Sequence, residues 1–388
     1  MKAMCTKVQS IFVWVSVVPT VLSAFLSFET KNDVLLDGLM QEDGSGNSGQ
    51  GEGFGSVSDE QLDYLSLKQA HWEEEVGSGF QTQGKDAVPV SHWAAIPQGL
   101  LEEYPYLSYV DVFYGTEGGG HMFPGVTLPF GMCKMGVDVV RYPSGDAYAG
   151  YQESGDVVGV SMLHESGTGG SPTYGVVSQL PMLSRSLDLI DTTRQLGFDR
   201  SQPDTGHLGY YKVSLNNSVS IEFSAGAKSG LFQYTFPVDP VLNPVVMVNV
   251  THHLHSFGRP WWTQDFKSGY IKVSKDLKSY RGKVVVAGGW SDPGSWTVSF
   301  HGTFDTPAKS IRAFYGSKSY DGLRINFAKS KNKNMGVLFE FENGTKVIKS
   351  HVGVSFNKGS GVEIAAQNIL DDYPEARRFD LDWSVRNV

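Results

Sequence analysis

Between residues 109 and 356 the apolar positions recur in short runs with a period of two. Residues 210–215, 220–225, 231–237, 245–250, 295–304 and 335–341 each read as a strand. The alternation is cleanest where Trp296, Val298 and Phe300 oppose Thr297, Ser299 and His301. Turn residues part the runs: Asn216-Asn217, Asp292-Pro293-Gly294, Asn343-Gly344 and Asn357-Lys358-Gly359. Many closely spaced strands with almost no long helical period predict a mainly β chain. The expected fold is an antiparallel β-sandwich over residues 106–358, and pattern alone does not separate it from a closed barrel.

The pattern changes on both flanks. In residues 359–388, Ile364, Ala365, Ile369 and Leu370 fall at helical spacing, with Pro374 interrupting. This tail reads either as a helix docking back on the sandwich or as a truncated helical linker that opens a further helical domain. The second is the expectation, since no partner layer for the apolar face is visible in the sequence. Residues 25–105 read as a flexible extension. Their segment 41–60 (QEDGSGNSGQGEGFGSVSDE) is rich in Gly and Ser and acidic. A short helix is expected after Ser58, with Leu62, Leu65, Trp72 and Val76 near one face. Residues 1–24 read as a signal peptide, with Lys2 and Lys7 before an apolar run at 11–21 and Ser23-Ala24 at the cleavage point. An uncleaved anchor is the alternative, although the run barely reaches the ~20 residues a bilayer needs.

Composition narrows the classes. A chain of 388 residues, 40% hydrophobic, can bury a full core. A net charge of −9 leaves no basic stripe for phosphates, so nucleic acid is not an expected partner. Of the two cysteines, Cys5 lies in the signal and Cys133 is left without an internal partner. Sequons at Asn216, Asn249 and Asn343 join the signal in predicting a glycoprotein of the secretory lumen or exterior, free of the membrane once the signal is cleaved.

Candidate chemistry concentrates in residues 109–175, where glycine-rich segments 115–124 (GTEGGGHMFP) and 164–172 (HESGTGGSP) flank apolar runs. Glycine admits close approach of a ligand or second domain to the main chain, so the region reads as a binding surface. Its candidate substrate-binding residues are Gly119, Gly120, His121, Asp146, Tyr148, His164, Glu165, Ser166 and Thr168. A turn bonded by its own Ser and Thr side chains is the competing reading of 164–172. Tyr151 and Trp261-Trp262 suit sugar stacking but equally suit packing. Glu117, Asp138, Asp146, Glu153, Asp156 and Glu165 supply carboxylates, yet none is assigned a catalytic role, because sequence does not set their separation. His252, His253 and His255 are not read as a metal site, since neighbours in a strand face opposite ways and no Cys or Glu pattern accompanies them.

The segments YVDVFYGTEGGGHMFPGVTLPFGM and GVSMLHESGTGGSP, in this order, resemble the two opening signatures of glycoside hydrolase family 92, the calcium-dependent exo-α-mannosidases. The second block is nearest the fungal-type form. GHLGYYKVSL and AGAKSGLFQYTFP resemble the strands that follow, and the resemblance runs from about residue 109 to 379. It implies an N-terminal β-sandwich followed by an (α/α)6 barrel that is absent from this chain. It also implies that the general acid, the base and the calcium ligands belong to that barrel, so that this chain alone is not hydrolytic. The implied partners are the barrel and α-mannose-containing glycans of glycoproteins or mannan. A free-standing carbohydrate-binding or interaction domain is the alternative.

Overall fold

The computed structural model describes residues 96–386 apart from 117–121, 123, 141–149, 165–174, 254–263, 289–293, 321 and 329–333. The expected signal, the flexible segment and its short helix lie outside the described residues. Helix α1 (Gln98–Glu103) and a 3-10 turn (Pro105–Tyr109) come first, burying Leu100 and Leu107.

Two antiparallel sheets follow, as the alternation predicts. One takes, in spatial order, β1 (Val126–Thr127), β2 (Lys134–Val140), β3 (Asp156–Ser161), β4 (Ser178–Ser184), β9 (Asn243–Asn249), β16 (Met335–Glu340), β13 (Ser310–Tyr315) and β14 (Lys318–Tyr320). The other takes β15 (Arg324–Ala328), β10 (Asp265–Val273), β11 (Ser279–Ala287), β12 (Ser295–Phe304), β17 (Val347–Ser355), β8 (Ser229–Thr235), β7 (Ser220–Ala225), β6 (Tyr210–Ser214) and β5 (Thr205–His207). The chain passes repeatedly between the two layers, so each sheet is complete only when the whole sequence is in place.

Alternation fills the space between the sheets with aromatic side chains. Phe304 lies 5.0 Å from Phe339 and 5.2 Å from Phe341, and Tyr280 lies 5.6 Å from Phe339. Tyr211, Phe223, Phe232 and Tyr234 continue the run across β6, β7 and β8. Each fully buried ring of this kind is worth about 2–3 kcal/mol over leaving it exposed. One polar bridge crosses the core. Tyr234 Oη donates to Gln179 Oε1 at 2.8 Å, and Gln179 Nε2 donates to Ser350 Oγ at 3.3 Å.

The tail corrects the expectation that it has no partner layer. Helix α2 (Gly361–Asp372) lies on the outer face of β17 and β12, and Val362, Ala365 and Ile369 are buried, while Leu370 stays exposed. Gly353 makes this approach possible, because a Cβ there would strike the Ala365 carbonyl. Asn368 Nδ2 donates to the Val354 carbonyl, and Asp372 Oδ2 accepts from Lys228 N and Ser229 Oγ, each at 2.8 Å. After a 3-10 turn (Glu375–Arg377), helix α3 (Leu381–Arg386) completes a second small apolar cluster of Leu231, Tyr373 and Leu381. Among the described residues no helix is long and apolar enough to cross a membrane.

Candidate functional site

The second glycine-rich segment leaves the described structure at His164 and returns at Gly175, and the geometry at this point is unusually constrained. Strand β2 brings Asp138 opposite Gly159 of β3, with a register shift between Asp138 and Val139. A bulge of this kind turns a side chain out of the regular alternation. Gly159 has φ 148°, and a Cβ there would run into Ser178 Oγ and the Gln179 carbonyl, so only glycine fits beside the bulge. Val176 and Val177, just after the segment returns, hold φ of 49° and 54°. Positive φ is costly for β-branched residues and persists only where surrounding packing imposes it. Both are buried.

Asp138 is the centre of what this packing encloses. Its Oδ1 lies 2.7 Å from His164 Nε2, and its Oδ2 accepts from His252 Nε2 at 2.6 Å and from Ser161 Oγ at 2.5 Å. His164 Nδ1 donates to the Lys134 carbonyl at 2.7 Å. Burial by itself would raise the Asp138 carboxyl, but the two imidazoles outweigh it and hold the group well below the usual carboxylate range. The side chains of Asp138, His164 and His252 are 2%, 0% and 7% exposed. They are thus closed to substrate. The cluster ties together β2, the end of β3 and the chain after β9, the places from which residues 165–174 and 254–263 depart.

Of the candidate binding residues, His164 lies inside the fold, bonded to Asp138 and the Lys134 carbonyl. Gly119, Gly120, His121, Asp146, Tyr148, Glu165, Ser166 and Thr168 lie outside the described residues, as do Trp261 and Trp262. Tyr151 is buried, its ring 6.1 Å from Phe113 and 5.5 Å from the Arg200 guanidinium, so it packs and does not face a ligand. His253 Nδ1 bonds the Thr251 carbonyl at 3.1 Å. Among the described residues no group of three or more His, Cys, Asp or Glu is arranged to hold a metal ion. Cys133 is a buried free thiol pushed well up by burial.

The sequons differ from one another. Asn216 is exposed in the turn between β6 and β7. Asn249 is 2% exposed, and its Oδ1 accepts from Thr251 N at 3.1 Å and Thr251 Oγ1 at 2.9 Å, which leaves no room for a glycan in this fold. Asn343 is exposed, but its Nδ2 donates to the carbonyls of Asp239 and Leu242.

Comparison with known proteins places these features. An uncharacterized secreted glycosidase of Arthroderma benhamiae is 26% identical over 264 residues, covering 65% of this chain and 29% of the relative. A family GH92 α-mannosidase from Bacteroides thetaiotaomicron, solved with mannoimidazole, superposes with a TM-score of 0.58 at 22% identity, covering 72% of this chain and 36% of that one. A family GH92 inverting mannosidase from the same organism gives 0.54 at 18% identity, covering 73% and 35%. These structures share the fold, and the chain spans only about a third of their length. Residues 109–355, more than half of the chain, match the glycosyl hydrolase family 92 N-terminal domain. With two antiparallel sheets built largely from the matched residues, the chain belongs to glycosyl hydrolase family 92 through that domain.

Proposed function

We propose that this chain is the sandwich half of a secreted α-mannosidase, which holds its glycine-rich segments in place for a helical catalytic half and for α-mannose-containing glycans of glycoproteins or mannan. The observation that carries the reading is the Asp138 cluster. A buried carboxylate with two imidazoles and a serine is costly to assemble, and one of its members, His164, opens the second signature segment. Inverting hydrolysis needs a carboxylic acid on one side of the bond and a carboxylate activating water on the other. Asp138 is closed to both roles, and the family resemblance assigns the acid and base to the helical half. The calcium, which takes six to eight oxygen ligands, is assigned there too. A carbohydrate-binding domain acting by itself is the second reading, supported by the polar groove described below.

The test is mannose release from a p-nitrophenyl α-mannoside and from yeast mannan. The chain alone is expected to release none, with or without calcium. Co-expression with the helical domain of a family member is expected to give calcium-dependent release. Hydrolysis by the chain alone contradicts the reading.

A further inference from the structure

On the outer face of the nine-stranded sheet, one row of side chains runs across five neighbouring strands. Thr205 of β5 pairs with Lys212 of β6, Lys212 with Glu222 of β7, Glu222 with Gln233 of β8, and Gln233 with Lys349 of β17. Residues in register share a face, and strands lie about 4.8 Å apart, so the row is about 19 Å long. All five are half-buried and line one groove of about 680 Å³, walled on the far side by Leu381, Asp382, Val385 and Arg386 of α3. Beyond Arg386 the groove meets a smaller hollow of about 210 Å³ lined by Tyr104 and Tyr106.

The chemistry of the lining selects a ligand class. Three cations, Lys212, Lys349 and Arg386, stand against three carboxylates, Glu222, Asp380 and Asp382. Burial lowers His207 and keeps it neutral near pH 7. The groove therefore favours neither a polyanion nor a polycation. Fixed hydrogen bonds orient the row: Tyr210 Oη donates to Glu222 Oε1 at 2.6 Å, Gln233 Nε2 donates to Glu222 Oε2 at 3.1 Å, and Lys349 Nζ donates to the Phe379 carbonyl at 2.8 Å. Along the row a hydroxyl, an ammonium, a carboxylate and an amide follow one another, so donors and acceptors alternate. The Tyr210 ring, stacked on His207 at 5.1 Å, adds a flat apolar surface. A neutral polyhydroxylated chain, with hydroxyls that both donate and accept and C–H faces that stack, matches every one of these features. A small-molecule site usually offers about 300–1,000 Å³, which this groove does.

We propose that this groove binds a stretch of neutral glycan, several sugar rings laid across strands β5, β6, β7, β8 and β17. The inference does not depend on the helical half, because sheet and tail alone build the groove. The experiment is affinity electrophoresis of the 388-residue chain in native gels containing soluble yeast mannan, soluble β-glucan or polygalacturonate. At least one neutral polysaccharide is expected to retard the chain and polygalacturonate to do so least. Lys212→Met, which keeps the stem and removes the donors, and Thr205→Trp, which fills one end, are each expected to weaken retention at least tenfold. Lys318→Ala, on the other sheet, is expected to change nothing. Thermal melting of each variant confirms that it is folded. Lack of retardation by both neutral polysaccharides, stronger retention by polygalacturonate, or undiminished binding by folded Lys212→Met overturns the proposal.

Discussion

At the scale of single residues, Asp138 is the side chain on which most depends. Removing its carboxylate leaves His164, His252 and Ser161 buried without their acceptor, at a summed cost of about 3–5 kcal/mol. Asp138→Ala is expected to lose that much in urea unfolding, and His252→Ala clearly less, because His164 and Ser161 still satisfy the carboxylate. Equal losses would mean that the cluster is not centred on Asp138. The sequons give a second test at this scale. Expressed in a eukaryotic secretory host, the folded chain is expected to carry a glycan at the exposed Asn216 and none at the buried Asn249. Peptide mapping before and after enzymatic deglycosylation reads this directly. The brace was hidden in the sequence for a plain reason. Asp138 and His252 are 114 residues apart, and nothing in either local pattern links them. His164 was visible because it opens a signature segment, but its inward direction depends on Asp138 and the Lys134 carbonyl, partners 26 and 30 residues away.

At the scale of elements, the strands were legible and the tail's docking was not. Ser220–Ala225 and Ser295–Phe304 fall where alternation puts them, and β6, β8, β9 and β16 begin or end within two residues of it. The departure is informative. Ser299, expected to face solvent, is fully buried because α2 covers its strand and Gly361 lies against its hydroxyl. Serine and glycine on an outer face read as solvent-exposed until a helix is known to lie there. Ile369 fills the contact, so Ile369→Ala is expected to cost about 2–5 kcal/mol. Gly353→Ala is expected to loosen α2, seen as faster proteolysis after residue 357. The tail also makes stability depend on pH. His351, buried under Tyr373 and Phe379 at 4.3 and 5.3 Å, is pushed down to about 3, chiefly by burial. His301 is pushed down to about 4 by burial and by Arg281 and Arg378. A histidine depressed on folding binds fewer protons in the native state than in the unfolded one. Its contribution is complete above the unfolded value of about 6.5 and is lost as pH falls toward 3, by about 1.4 kcal/mol per unit for His351. Unfolding midpoints at pH 7 and pH 4.5 are expected to differ accordingly, and His351→Leu to narrow the gap.

At the scale of the molecule, a two-sheet sandwich carries a buried carboxylate–histidine cluster, a polar groove on one outer face, and a docked helical tail. The fold was readable because period-two alternation and turn chemistry agree along more than two hundred residues, and the ordered signature blocks sharpened that to one family. The remaining claim is that the molecule is built to receive a helical half. Its most direct measurement is the mass, by size-exclusion chromatography with light scattering, of the chain mixed with the separately purified helical domain of a family member. The account predicts a one-to-one complex for the parent chain and its loss, or a dissociation constant at least tenfold weaker, for a folded Asp138→Asn variant whose brace is undone. Two separate peaks for the parent, or an unchanged complex for Asp138→Asn, would contradict it.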